Sequence, residues 1–270
     1  MEAPSLEQLY LEDFPEMQLL ESNRPLPCLH SATVEFGRSE ISNEGLTRVL
    51  AQISNAKEMR LSWSLLCLLS NDNGDVQLPI FPSLTRLKIG SPGSSCILHS
   101  VLNSVPKLQS LNVILEDGRG TMEWEDFNDH GCTPECLLSS LEEIKIEDLI
   151  ADKGEMEMVA CLLEAGVSLK KAHVHIVYDD ADVYEEYGDY LKAIHNRLGS
   201  LVKLLRSSRG CEAHLFLPFG DEIHVCSDDE THGNDAVDGM EDGDTNVDDG
   251  RTDNDNDNII CDGNDGEKQI

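Results

Sequence analysis

Positive charge is what this chain has least of. Its 270 residues hold 20 Lys and Arg against 52 Asp and Glu, for a formal net charge of −32. A chain so short of cations cannot neutralise many phosphates, which argues against nucleic acid or an anionic membrane as partner. Long apolar runs are missing too. No stretch approaches the roughly 20 residues that cross a bilayer, and Glu2, Glu7, Glu12 and Asp13 interrupt any signal-peptide core at the start. The strings G-x-x-x-x-G-K, G-x-G-x-x-G and G-x-S-x-G do not occur. The sequence therefore gives no sign of an enzyme, and no cofactor is expected. Nine cysteines are present, an odd number with irregular spacing and no C-x-x-C. They read as reduced thiols of a cytoplasmic or nuclear protein, several of them filling core positions as small apolar residues.

What the chain does have is one phrase written repeatedly. It reads Pro4-Ser5-Leu6-Glu7-Gln8-Leu9-Tyr10-Leu11, then Pro82-Ser83-Leu84-Thr85-Arg86-Leu87-Lys88-Ile89, then Pro106-Lys107-Leu108-Gln109-Ser110-Leu111-Asn112-Val113. Weaker copies lead from Leu29 to Val34, Ala56 to Leu61, Leu141 to Ile146 and Leu169 to Val174. The pattern is the L-x-x-L-x-L core of a leucine-rich repeat. Lead positions recur after 23 residues (Leu6 to Leu29), 24 (Leu84 to Leu108) and 28 (Leu141 to Leu169). The 55 residues from Leu29 to Leu84 fit one further repeat, and the 33 from Leu108 to Leu141 contain an insertion.

Each phrase predicts a short strand, with Leu87 and Ile89 facing inward and Arg86 and Lys88 outward. The same alternation turns Gln8 and Tyr10, Ser110 and Asn112, Glu143 and Lys145, and Lys171 and His173 to an open side. Helical spacing of apolar residues predicts return helices over Gly45–Ala56, around Ile97–Val105, from Met156 to Gly166, and over Tyr184–Arg206. A last strand is expected at Glu212–Leu217. Beyond Phe219 the composition collapses into Asp, Asn and Gly. From Asp221 to Ile270 stand 18 acidic residues against Arg251 and Lys268. Such a segment buries too little to offset its ordering entropy and is predicted to be a disordered acidic tail. The fold class expected is α/β, an irregular leucine-rich-repeat solenoid with parallel strands on one face and helices on the other.

One segment is more specific than a generic repeat. Trp124 is followed by Pro134-Glu135-Cys136-Leu137-Leu138-Ser139-Ser140-Leu141-Glu142-Glu143-Ile144-Lys145-Ile146, then Gly154–Ala160, Leu162–Gly166 and Leu169-Lys170-Lys171-Ala172. This resembles the FBD domain of plant F-box/leucine-rich-repeat proteins. Leu204–Cys211 resembles that domain's closing segment, and the repeats upstream resemble those that precede it. The resemblance implies repeats over 1–123 and an FBD-like domain over 124–219 that continues and caps the solenoid, and composition adds the tail over 220–270. Members of that family are similar to substrate receptors of Skp–cullin–F-box ubiquitin ligases. Because the chain opens inside a repeat at Met1-Glu2-Ala3-Pro4-Ser5-Leu6, the F-box helices are expected to be absent and the Skp adaptor is not an expected partner. Within the P-E-C-L-L-S-S-L string, Pro134 fixes φ, Cys136, Leu137 and Leu138 are expected to form an apolar plug, and Ser139 and Ser140 to satisfy nearby backbone.

Sharper chemical readings fare less well. Cys132-x-x-x-Cys136 with His130 lacks the second ligand pair of a structural zinc site. His173 and His175 share a strand face, but the sequence identifies no third ligand for them, His195 being distant. Asp253-x-Asp255-x-Asp257-Asn258 imitates the front of a calcium loop, yet Asn264 stands where a bidentate Glu is needed. Asp179-Asp180 and Glu185-Glu186 read as solvated charge. The function expected is therefore a noncatalytic protein-interaction scaffold, binding a protein substrate or partner across Gln8, Tyr10, Arg60, Arg86, Lys88, Asn112 and Lys145. The alternative is an acidic-tailed leucine-rich chaperone for histones or other basic proteins.

Overall fold

A leucine-rich phrase folds as it does because its two alternate apolar residues need a hydrophobic layer on one side only, and neighbouring copies supply it. The computed structural model describes residues 5–12, 24–35, 43–70, 78–115, 124, 132–177, 199–206, 210–217 and 222–225. In chain order the elements are β1 (Gln8–Glu12), β2 (Ser31–Glu35), α1 (Asn43–Gln52), β3 (Glu58–Leu61), α2 (Trp63–Ser70), β4 (Arg86–Gly90), α3 (Ser95–Asn103), β5 (Ser110–Ile114), α4 (Glu135–Ser139), β6 (Glu143–Leu149), α5 (Lys153–Ala165), β7 (Lys171–Ile176), β8 (Glu212–Phe216) and β9 (Glu222–Val225). Residues 199–206 are also helical. Among the described residues, nine strands form one sheet in sequence order. β1 to β8 pair in parallel, and β9 turns back antiparallel to β8.

Register makes the repeat visible in space. Leu9, Ala32, Met59, Leu87, Leu111, Ile144, Ala172, Ala213 and Val225 stand opposite one another from strand to strand, and so do Leu11, Val34, Leu61, Ile89, Val113, Ile146, Val174 and Leu215. Nearly all of them are buried. A third buried row comes from the lead positions Leu29, Ala56, Leu84, Leu108, Leu141, Leu169 and Cys211. The helices supply the other side of this core through Leu46, Leu50, Leu65, Leu66, Leu98, Leu102, Met158, Leu162 and Leu205. Burial pushes the Cys136 thiol up to about 12 and the Cys211 thiol up to about 11, so both behave as inert apolar groups.

Backbone hydrogen bonds repeat with the same period. The carbonyl of Glu7 accepts from His30 N (2.7 Å) and Ser31 N (3.0 Å). That of His30 accepts from Lys57 and Glu58, Lys57 from Thr85 and Arg86, Thr85 from Gln109 and Ser110, Gln109 from Glu142 and Glu143, and Glu142 from Lys170 and Lys171, all at 2.8–3.1 Å. One carbonyl per turn thus receives two successive N–H groups, which satisfies the backbone where each strand begins.

Several expectations are refined. Between β3 and the next phrase lies α2, which helical periodicity does not reveal. Its sequence, WSLLCLLS, is apolar almost throughout, with Leu65 and Leu66 fully buried, and a helix without a polar face gives no amphipathic signal. Leu137 and Cys136 do plug the core, but Leu138 is 50% exposed and belongs outside it. Beyond Phe219, where the sequence places the start of the tail, β9 extends the sheet. Most of the expected 184–206 helix and residues 226–270 lie outside the described residues. So do His130, Asp179, Asp180, Glu185, Glu186, His195 and the Asp253–Asn258 string. The chain divides into two units, Met1–Glu230 and Thr231–Ile270, and every described residue belongs to the first. Among the described residues, no helix is long and apolar enough to cross a membrane.

Two local features set testable limits. A Cβ added at Gly90 would lie 2.6 Å from the backbone N of Trp63, because β4 runs against the first turn of α2. Replacing Gly90 by Ala should destabilise the protein by roughly 1–3 kcal/mol through forced separation, read as a lower midpoint in urea unfolding. At the start of α5, Asp152 accepts from Glu155 N at 2.8 Å while Glu155 Oε2 accepts from Asp152 N (3.3 Å) and Ile150 N (3.0 Å), a capping box with one extra bond. Burial, reinforced by the Asp152 charge and opposed by these N–H groups, pushes the Glu155 carboxyl up to about 7. The folded state therefore holds this proton more tightly than the unfolded state. Its contribution to stability is present below the ordinary carboxylic value and is lost as pH rises through about 7. Glu155→Gln keeps an acceptor for both N–H groups and should flatten that slope in a pH series of denaturation midpoints.

Candidate functional site

With one side of the sheet packed under helices, the other carries the outward positions of every strand. Two polar rows cross it. The first is Gln8, Ser31, Glu58, Arg86, Ser110, Glu143, Lys171 and Glu212; the second is Tyr10, Thr33, Arg60, Lys88, Asn112, Lys145, His173, His214 and His224. All seven residues singled out from the sequence fall on these rows, Gln8 and Arg86 on the first and the other five on the second. In a chain with so few cations, Arg60, Lys88 and Lys145 share one row.

Sequence reasoning missed how these side chains are held. Tyr10 donates its hydroxyl to Glu35 Oε2 at 3.0 Å, and Arg60 Nε lies 3.0 Å from Glu35 Oε1. Arg86 pairs with Glu58. Further along, Glu147 Oε1 gathers the Asn112 amide at 2.8 Å, the Lys145 ammonium at 2.9 Å and Lys88 at 3.9 Å. Three glutamates, Glu35, Glu58 and Glu147, thus organise six of the seven predicted residues. Each comes from a strand other than that of at least one group it binds, so the link exists only once the register is set. The partial signal in the sequence was alternation itself, since Glu35, Glu58 and Glu147 occupy outward positions.

Electrostatics follow from these contacts. The hydrogen bond to Glu35, with burial and the charges of Glu12 and Glu35 behind it, raises the Tyr10 phenol to about 12. The Arg86 guanidinium holds Glu58 below the ordinary carboxylate range. Burial alone would raise Glu147, but the Asn112 amide and the Lys145 and Lys88 charges bring it below that range. Exposed pairs of this kind contribute about 0.2–1 kcal/mol each. They orient the cations far more than they stabilise the fold.

The end of the face near β9 is different. His173 stacks on His214 (centroids 5.0 Å) and His175 on Phe216 (4.3 Å). Burial, then neighbouring charge, lowers both His173 and His175. His214 is raised instead, by its bonds to Glu222 and Glu212 against the effect of burial. Among the described residues, His214, Glu222 and His224 form a group whose ligand atoms lie within 4.8 Å of one another. His214 and His224 escaped the sequence reading because the first sits on the expected last strand and the second beyond Phe219. Strict alternation in Glu212-Ala213-His214-Leu215 and Glu222-Ile223-His224-Val225 would have placed both outward. The Cys132/Cys136 pair does not converge. Cys132 is exposed, whereas Cys136 is buried with its thiol directed at the Leu102 carbonyl.

Residues 128–174 match the family model described as FBD. That span holds α4, β6, α5 and β7 through Val174, two successive strands of the same face with the helix between them. Curated relatives agree. An F-box/FBD/LRR-repeat protein of Arabidopsis thaliana is 32% identical over 141 residues, covering 51% of this chain and 29% of the relative. A second from the same plant is 30% identical over 212 residues, 71% of this chain and 46% of the relative. The chain carries an FBD segment and is similar to plant F-box/LRR-repeat proteins. An FBD-associated F-box protein of Arabidopsis thaliana is also similar, 31% identical over 128 residues, 47% of this chain and 27% of the relative. The chain spans less than half the length of these relatives. Within the FBD segment, the P-E-C-L-L-S-S-L string has a structural task. Ser140 Oγ lies 2.9 Å from the Leu108 carbonyl and 3.3 Å from that of Pro106, so the FBD segment is tied to the preceding repeat by a side chain as well as by strand pairing.

The Tyr10–Glu35 bond can be checked directly. Glu35→Gln should return the Tyr10 ionisation from about 12 toward the ordinary phenol value, read as the difference between ultraviolet tyrosine titrations with and without Tyr10→Phe.

Proposed function

We propose that this FBD protein is a noncatalytic recognition scaffold that holds another protein against the open face of its sheet, as the substrate-holding part of an F-box-type ubiquitin-ligase adaptor. The observation that carries the reading is the second polar row. It sets Tyr10, Arg60, Lys88, Asn112 and Lys145 in register across β1 to β6, with glutamates holding the cations in place. Solenoids use such repeated surfaces for recognition. A partner carboxylate or backbone carbonyl can compete for Lys88, Asn112 and Lys145 where Glu147 now serves all three. The helical side is the contrasting surface, where Arg48 and Lys153 pair with Glu44 and Glu157 of their own helices.

The experiment is site-directed photocrosslinking in plant extract with the full chain. A benzoylphenylalanine at Asn112 should capture a specific partner, and one at the exposed Lys153 of α5 should not. Lys88→Glu with Lys145→Glu should lower the yield at least roughly ten-fold, the scale of a central charged contact, with the unfolding midpoint nearly unchanged. Equal capture from both sides would overturn the reading. The charge of the C-terminal segment supports a second reading, a chaperone that attracts basic proteins. Salt-sensitive histone binding that disappears on deleting Asp221–Ile270, with the face variants still active, would select that one.

A further inference from the structure

Two antiparallel strands close the sheet, and their outward positions carry an unusual set of groups. His214 of β8 and His224 of β9 are directly opposed, with ring centroids 4.4 Å apart and planes at 67°. Glu222 precedes His224 by two residues and so points to the same side. Its Oε1 lies 2.7 Å from His214 Nδ1 and 3.7 Å from His224 Nε2. On the other edge of the His214 ring, Glu212 Oε1 lies 3.1 Å from Nε2. His173, opposite His214 on β7, stacks against that ring at 21° and keeps it from swinging away.

We propose that His214, His224 and Glu222 bind a first-row divalent transition ion of the Zn2+ type, with Glu212 as the outer carboxylate that orients His214. Two imidazoles and one carboxylate form a donor set that suits Zn2+. It does not suit Mg2+ or Ca2+, which take six or more oxygens. A metal-bound histidine almost always donates its other ring N–H to a carboxylate or carbonyl. Glu212 is placed to accept the Nε2–H of His214, which leaves Nδ1 as the free lone pair facing Glu222 and His224. With metal–nitrogen bonds near 2.0–2.1 Å, tetrahedral donors stand roughly 3.3–3.5 Å apart. The separations here bracket that value, and the exposed His224 ring can turn to close the remaining gap. Three protein donors leave one position toward solvent, available to water or to a side chain of a bound partner. Because the donors come from β8 and β9 together, the ion also clamps the last strand to the sheet. The inference does not depend on the recognition reading.

The test uses the full chain with accessible thiols alkylated and excess Mg2+ present, so that neither cysteines nor acidic carboxylates take up the probe. Zn2+ is then titrated by calorimetry. One equivalent should bind. His214→Ala with His224→Ala should abolish that equivalent, Glu212→Gln should weaken it roughly ten-fold or more, and His30→Ala, at the other end of the face, should leave it intact. Zn2+ should slow amide exchange across Glu222–Val225 in the native chain and not in the double variant. If loss of the His214 ring loosens β8, Glu222→Gln with His224→Ala, both at exposed positions, replaces it. Absence of stoichiometric uptake, or uptake unchanged in either double variant, overturns the site, and an unchanged affinity in Glu212→Gln removes the role given to that carboxylate.

Discussion

Everything in this fold depends on one backbone contact made once per turn. A carbonyl just ahead of each strand takes up two successive N–H groups from the start of the next strand. The sequence of acceptors runs Glu7, His30, Lys57, Thr85, Gln109, Glu142. That contact fixes where each strand begins relative to the last. A one-residue slip would turn the leucines out and the charges in. The buried lead positions behind it make a slip costly, since each would pull a leucine, an alanine or Cys211 out of the core. Loops between these points can then vary in length, and they do, without disturbing the register.

A fixed register is what allows an acidic protein to present cations in a line. Arg60, Lys88 and Lys145 are far apart in the chain and rest on separate strands, yet each stands in the same row. Desolvating three such charges side by side would be unfavourable without counter-charges. Glu35 and Glu147 answer that need from outward positions at the next step along their strands. The bulge at β6, where Asp148 adopts φ 61° and Glu147 and Asp148 together oppose one residue of β7, changes the local path of the strand beside Glu147. The face is thus assembled from register, alternation and one irregularity.

Much of the fold was legible because the repeat phrase states both its period and its alternation. Leu84-x-x-Leu87-x-Ile89 predicts a buried lead residue and two inward strand residues, and all three are buried. The seven outward candidates were legible for the same reason. What the sequence hid was everything that depends on the distance between repeats. Glu147 and Lys88 are 59 positions apart in the chain, and no local pattern pairs them. α2 was hidden by the uniformity of its apolar side chains. β9 was hidden by its neighbourhood, since four alternating residues at the edge of an Asp- and Gly-rich region carry too little signal against that composition. Leu138 was misplaced because α4 is a single short turn, in which three successive apolar residues cannot all face inward.

The hydroxyl of Ser140, reaching back to the carbonyls of Leu108 and Pro106, has an implication for how such proteins are divided. The stretch recognised as FBD begins after β5, but its first strand finishes a ladder that β5 opened, and its serine terminates a turn belonging to the earlier repeat. Cut out at the limits of sequence similarity, the fragment would present two raw sheet edges, where β5 and β8 had paired, and the apolar underside of its strands to water. Anyone transplanting it into a chimera would need to carry at least one neighbouring coil along, so the evolutionary unit and the folding unit in this protein have different borders.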